Sequence, residues 1–235
     1  EFAAKIHTPY LVMAGVLVVV AIAILFSSLP EIKPSEANAE AGESASIGKQ
    51  SVFQFPHLWL GVLCLFVYVG VEVLAGDAIG TYGNGFGLPL DQTKFFTSFT
   101  LGAMLLGYVV GLITIPRLVS QERYLSISAV LGVVFALAAF FTKGYVSVGF
   151  VAALGFANAM MWPAIFPLAI KGLGRHTELG SALLVMGIVG GAIVPRLFAG
   201  LKQDHDFQLV FLLLMVPCYL YILFFAVRGH RVGRG

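Results

Sequence analysis

The sequence predicts an all-α integral membrane protein with about seven transmembrane helices. Three observations predict it. About seven apolar runs of roughly 18–25 residues lack Lys, Arg, Asp and Glu almost entirely, and each is long enough to cross the hydrocarbon core as a helix. Hydrophobic residues make up 59% of the chain and charged residues only 11%, with a mean hydropathy of +0.93. The runs do not alternate polar and apolar, and they are about twice the length of a spanning β-strand, so they read as helices that satisfy their own backbone in lipid. The short connections leave no room for a separate soluble enzyme domain.

The first span is expected over Pro9–Leu29. Lys5 and His7 precede it as in a signal peptide, but its apolar core is too long and no small-residue cleavage site follows, so it reads as a spanning helix. The chain begins Glu1-Phe2, not with Met, and is expected to be a fragment or a processed product. Residues 31–56 hold the one long polar stretch. Rich in Ala, Ser, Glu and Gly, it buries too little apolar surface to offset ordering and is expected to be a flexible linker.

Six spans then fall within residues 57–228. They are expected over His57–Ile79, Phe95–Ile115, Leu125–Phe141, Val146–Ile170, Leu179–Phe198 and Phe207–Val227. The segment TYGNGFGLPLDQTK after the first of these reads as a loop from its Gly and Pro clusters. Residues 229–235 form a basic tail. Because spans alternate sides, the connections fall into two sets. One carries Lys33, Lys49, Arg117, Arg123, Lys171, Arg175, Arg228, Arg231 and Arg234; the other carries Lys5, Lys94, Lys143 and Lys202. That excess places the linker and the C-terminus in the cytoplasm.

The net charge of +2 and pI of about 8.6 give no reason to expect a nucleic-acid partner. Cys64 and Cys218 lie inside apolar runs and read as small core residues. His7, His57, His176, His205 and His230 flank the spans, and none is placed like a metal ligand. No P-loop, Cys-x-x-Cys or His-Glu-x-x-His motif is present, so no catalytic residue, metal or cofactor is expected, and the chain is read as not an enzyme.

The informative residues are polar groups within the spans, because each is costly in lipid unless paired or facing water. Tyr68 lies one turn before Glu72 and shares its face. Glu72 either lines a polar cavity, accepting hydroxyl donors or a proton, or it caps a neighbouring helix or pairs structurally with Arg196. Asp77 lies nearer the outer surface and is either a cavity group or interfacial. Asn158 and Trp162 stand at i and i+4 beside Pro163 and Pro167, which kink a helix. An amide beside an indole on a broken helix suits a sugar, the amide bonding hydroxyls and the ring stacking on the pyranose face; the alternative is an interfacial Trp anchor. Gly107/Gly111 and Gly187/Gly191 form GxxxG pairs that let helix backbones approach.

Together these residues resemble the sugar porters of the major facilitator superfamily, in particular the fucose–proton symporter family and its glucose/galactose branch. FVYVGVE is similar to the start of that family's helix seven. WPAIFPLAIKGLGRHTELGSALLVMGIVGGAIVP is similar to helices ten and eleven with their basic connection, and the first span with its SSLPEIK exit to helix six.

The resemblance implies a C-terminal half: residues 1–30 as the last helix of the N-terminal half, then the cytoplasmic linker, the six-helix bundle and the tail. It implies sugar transport by alternating access, coupled to a cation, in practice a proton, in the bacterial inner membrane, with the missing N-terminal half and the lipid bilayer as partners. The acidic residues tied to coupling lie in that other half. Glu72, Asn158 and Trp162 are the expected sugar contacts, with Tyr68 and Asp77 behind them. The rival reading within the superfamily is an exporter of drugs or other small solutes, with a broad apolar pocket. A seven-helix receptor fits poorly because no buried Lys is placed for a retinal, and an intramembrane enzyme lacks a catalytic pair.

Overall fold

Every regular element among the described residues is helical, as expected for backbone that must bond within its own segment in lipid. The computed structural model describes residues 2–26, 51–115 and 117–233. It divides into two units, Glu1–Glu40 and Ala41–Gly235.

The first unit holds α1 (Phe2–Leu25), apolar from Pro9 to Leu25. The sequence placed its start at Pro9. The helix begins seven residues earlier and runs through that proline, which removes only one backbone bond. The predicted exit at Leu29 and most of the linker lie outside the described residues.

The second unit begins with a short 3₁₀ turn, Val52–Gln54, capped by the Ser51 hydroxyl. Ten helices follow: α2 (Pro56–Asp77), α3 (Ile79–Asn84), α4 (Leu90–Thr93), α5 (Phe96–Thr114), α6 (Gln121–Phe141), α7 (Gly144–Asn158), α8 (Met161–Ile170), α9 (Thr177–Met186), α10 (Gly190–Leu201) and α11 (Phe207–Val227). They make six membrane-length spans, because α7–α8 and α9–α10 each form one interrupted span. The predicted loop TYGNGFGLPLDQTK is instead folded as α3 and α4. Gly87, at φ +73°, makes the turn between them. Tyr82 pins α3 down: it is buried, its ring packs on Phe207 and Phe211, and its hydroxyl lies 2.7 Å from Ser147 Oγ.

α2 and the α7–α8 span hold the centre of the bundle, with 56% and 67% of their apolar windows buried against 22% for the span ending in α5. α5 turns Leu105, Leu106 and Leu112 outward, and lipid is the solvent such a face fits.

Glycines set how closely the helices meet. A Cβ on Gly190 would lie 1.9 Å from the Phe66 carbonyl oxygen, and one on Gly70 would lie 2.4 Å from Val194 Cγ2. α2 and α10 therefore touch backbone to backbone. A second seam joins α5 to α7. A Cβ on Gly107 would lie 2.6 Å from the Phe156 carbonyl oxygen, and one on Gly155 would lie 2.2 Å from the Thr100 carbonyl oxygen. Both predicted GxxxG pairs lie on such seams, although Gly190, outside the pattern, makes the tightest approach.

Pro163 accounts for the α7–α8 interruption. It has no N–H to donate to the carbonyl of Ala159, and its ring crowds that carbonyl, so the helix stops at Asn158 and restarts at Met161. Pro163 then occupies the first turn of α8, where its missing donor costs nothing. Pro167 stays inside α8.

Gly190→Ala should lower bundle stability by about 1–3 kcal/mol, the range for overpacking. Gly102→Ala is its control, since nothing lies within 4 Å of a Cβ there. Thermal unfolding in detergent measures both. Equal melting temperatures would show that the α2–α10 seam does not set stability.

Candidate functional site

Midway along α2, Tyr68 donates its hydroxyl to Glu72 Oε1 at 2.7 Å, as the one-turn spacing predicted. Tyr68 is buried and Glu72 half-buried. Trp162, half-buried on the first turn of α8, meets the Tyr68 ring edge-on with centroids 6.4 Å apart. Tyr68, Glu72 and Trp162 thus form one group.

Asn158 lies behind it. The i, i+4 spacing placed Asn158 and Trp162 on one face, but that holds only for a continuous helix, and the break at Ala159–Met160 falls between them. Asn158 ends α7, fully buried. Tyr219 of α11 donates to its Oδ1 at 2.8 Å, while Nδ2 has no partner among the described residues. The Tyr219 ring fills the space beside Gly132 of α6, where a Cβ would meet it at 2.5 Å.

Sequence reasoning missed Tyr219, the buried partner of Asn158. The signal available was the pair Tyr219 and Tyr221 in an otherwise nearly apolar span. The Glu72–Arg196 pair does not form: Arg196 is exposed, and the ion pair found among the described residues is Lys94 with Asp91 at 3.4 Å. Glu72 therefore keeps acceptor capacity beyond its bond to Tyr68. A carboxylate, phenols and an indole without a neighbouring cation suit a neutral polyhydroxylated solute. No group of three metal-ligating side chains occurs among the described residues.

Asp77 is not part of this group. It is exposed at the C-terminal end of α2, five residues beyond Glu72. There it lines a cleft of about 310 Å³ with Gly80, Thr81, Asn84, Thr93, Lys94 and Thr97. Beside it, a buried clamp joins α3, α6, α7 and α11. Gln208 Nε2 donates to the carbonyls of Ala139 and Thr142 at 2.9 and 2.8 Å, and Ser147 donates to Ala139 at 2.6 Å. At the opposite end, His57 Nε2 donates to the Lys171 carbonyl at 3.1 Å, fixing the start of α2 to the end of α8.

The Asn158–Tyr219 bond is open to direct measurement. Tyr219→Phe leaves a buried acceptor unpaired and should cost about 1–3 kcal/mol of stability. Adding Asn158→Leu should recover part of that loss. A double-mutant cycle with coupling near zero would mean the bond contributes nothing.

No family model matches the chain. It is 31% identical over 229 residues to the glucose/galactose transporter of Brucella abortus (biovar 1, strain 9-941), covering 96% of this chain and 54% of that protein. It is 27% identical to the putative glucose/galactose transporter of Helicobacter pylori (strain ATCC 700392 / 26695), covering 97% and 56%. It is also 27% identical to the L-fucose-proton symporter of Escherichia coli K12, covering 81% and 44%. The crystal structure of the major facilitator superfamily transporter FucP in the outward conformation superposes with a TM-score of 0.75 at 24% identity, covering 94% of this chain and 53% of that one. All of these relatives are transporters, not enzymes, and the chain spans about half the length of each. By sequence the chain is similar to these sugar transporters, and it shares the fold of the major facilitator superfamily transporter FucP over about half of that protein's length.

Proposed function

We propose that this chain is the C-terminal half of a proton-coupled hexose symporter in the bacterial inner membrane. The sugar sits between this half and an N-terminal half, and the two halves rock to expose it to each side in turn. The observation that carries the reading is the Tyr68–Glu72–Trp162 group, whose open valence is all hydrogen-bonding and aromatic. Trp162 stacks on the sugar, Glu72 accepts its hydroxyls, and Tyr68 holds the carboxylate in place. Asn158 stands behind them as an unpaired donor reached only after rearrangement. Residues 31–56 and the tail are cytoplasmic, consistent with the excess of Lys and Arg on that side. A drug exporter would instead want a broad apolar pocket at this position.

Trp162→Ala should weaken sugar binding by about 1–3 kcal/mol in the full-length transporter, the cost of losing a buried aromatic anchor. Trp59 is the internal control. It is 36% exposed and stacks on Phe53, away from the proposed site, and its replacement should be tolerated. Unchanged sugar affinity after Trp162→Ala would return that ring to packing.

Glu72→Gln keeps the shape and an acceptor, so affinity and uphill uptake should both be retained, while Glu72→Ala should lose affinity. Uphill uptake and counterflow are to be measured side by side. If Glu72→Gln abolished accumulation but preserved counterflow, Glu72 would be a carrier of the coupled proton and not a sugar contact.

A further inference from the structure

The cleft at the Asp77 end is not needed by the central group, and its lining is chemically distinctive. α2 and α3 supply one wall with Asp77, Thr81 and Asn84. The segment running from α4 into α5 supplies the other with Thr93, Lys94 and Thr97. The walls are tied together. Thr97 donates to the Gly76 carbonyl at 2.9 Å, and Gly80 lies so close to the facing wall that a Cβ would stand 3.3 Å from the Thr93 carbonyl. Gln92 bonds Tyr145 of α7 and fixes the outer wall to the bundle. The cleft is therefore preformed. Its volume of about 310 Å³ is at the small end of the roughly 300–1,000 Å³ typical of ligand clefts.

The side chains select among ligands. Asp77 makes no ion pair among the described residues, which disfavours an anion, and Lys94 stands opposite, which disfavours a metal cation. Lys94 already shares its charge with Asp91 at 3.4 Å, so it is poorly placed to hold a carboxylate as well. What remains is an acceptor-only carboxylate, the Thr81 hydroxyl, which can donate or accept, and the Thr97 hydroxyl, which after donating to Gly76 can still accept. This mixture fits a neutral polyol. No aromatic side chain lines the cleft, so no stacking holds the solute, and binding is weak and quickly reversed.

Asp77 is five residues past Glu72 on the same helix, about 7.5 Å along its axis at 1.5 Å per residue. We propose that this cleft is a second, outer sugar-binding site that captures a neutral hexose before it reaches the Trp162 group. The proposal rests on the symporter reading and on the Asp77 end facing outward. Such a site acts on encounter, so it sets KM for entry and leaves the maximal rate unchanged.

The test uses the full-length protein in intact cells. Asn84→Cys, at an exposed position, is treated with an impermeant thiol reagent, with the unmodified protein treated in parallel. Cys64 is buried and Cys218 half-buried. The cysteine at position 84 should react, and hexose at about ten times its dissociation constant should slow that reaction about tenfold. The decisive arm repeats this in a Trp162→Ala background. Protection that persists there shows an outer site independent of the central one.

Protection lost together with central binding overturns the outer site and leaves the symporter reading standing. Protection by glycine but not by hexose makes the cleft a zwitterion site and overturns the proposal. Failure to label in intact cells overturns the outward orientation, and the proposal with it. A separate kinetic arm uses Asp77→Asn and Thr81→Val. Both should raise the uptake KM severalfold without changing the maximal rate, and an unchanged KM in both also overturns the proposal.

Discussion

The backbone contact between α2 and α10 fixes the direction of every polar group on α2. In lipid, helices gain no hydrophobic drive by meeting one another, so close packing and interhelical hydrogen bonds must hold them together. Here Gly190 rests on the Phe66 carbonyl, and Val194 fills the hollow at Gly70. Two residues along a helix turn about 200°, so Glu72 points away from the face that Gly70 gives to α10. The same geometry explains the absent ion pair. Val194 faces α2, and Arg196, two residues on, faces the exterior. The carboxylate is left to Tyr68 because the seam carries the arginine away from it.

The interrupted spans follow from the same need to satisfy backbone groups. A continuous α7–α8 helix would bring Pro163 against the Ala159 carbonyl with no donor to offer. The chain breaks there, and the turn at Ala159–Met160 separates Asn158 from Trp162. The break lies where α5 comes close: Gly107 accommodates Ala159 and Gly111 accommodates Met160. The irregular backbone is thus covered by protein, the condition under which a membrane span tolerates it.

The spans were legible because lipid imposes one rule on every residue within them, and apolar length reports it directly. The GxxxG seams were legible for a related reason, since small residues every fourth position mark a close face. Two features were hidden. α3 and α4 were read as loop because Gly and Pro dominate locally, whereas a distant contact, Tyr82 against Ser147 and Phe211, holds them helical. The pairing of Asn158 with Tyr219 spans 61 residues and leaves no local trace. Spacing placed Tyr68 and Glu72 correctly because nothing interrupts α2 between them. It does not fix Asn158 relative to Trp162, because the break imposed by Pro163 falls between them. Asp77 shared a helix with Glu72 but not a site, since five residues carry it beyond the bundle interior.

Buried hydrogen-bond clamps tie both ends of the bundle, and open hydrogen-bonding valence also stands in its middle. At the Asp77 end, Gln208, Tyr82 and Ser147 satisfy one another and the last carbonyls of α6. At the other end, His57 closes on Lys171, and Tyr221 donates to Leu60 at 3.1 Å. Between them, among the described residues, Asn158 Nδ2 has no partner and Glu72 bonds through Oε1 alone. An unpaired buried donor costs about 1–3 kcal/mol, and a half-used carboxylate at membrane depth costs more unless water or a solute completes it. A fold built only for stability would place such groups at its wet ends and keep its centre apolar. This bundle keeps open hydrogen-bonding valence within its span, which is the arrangement the proposed passage of a polar solute requires.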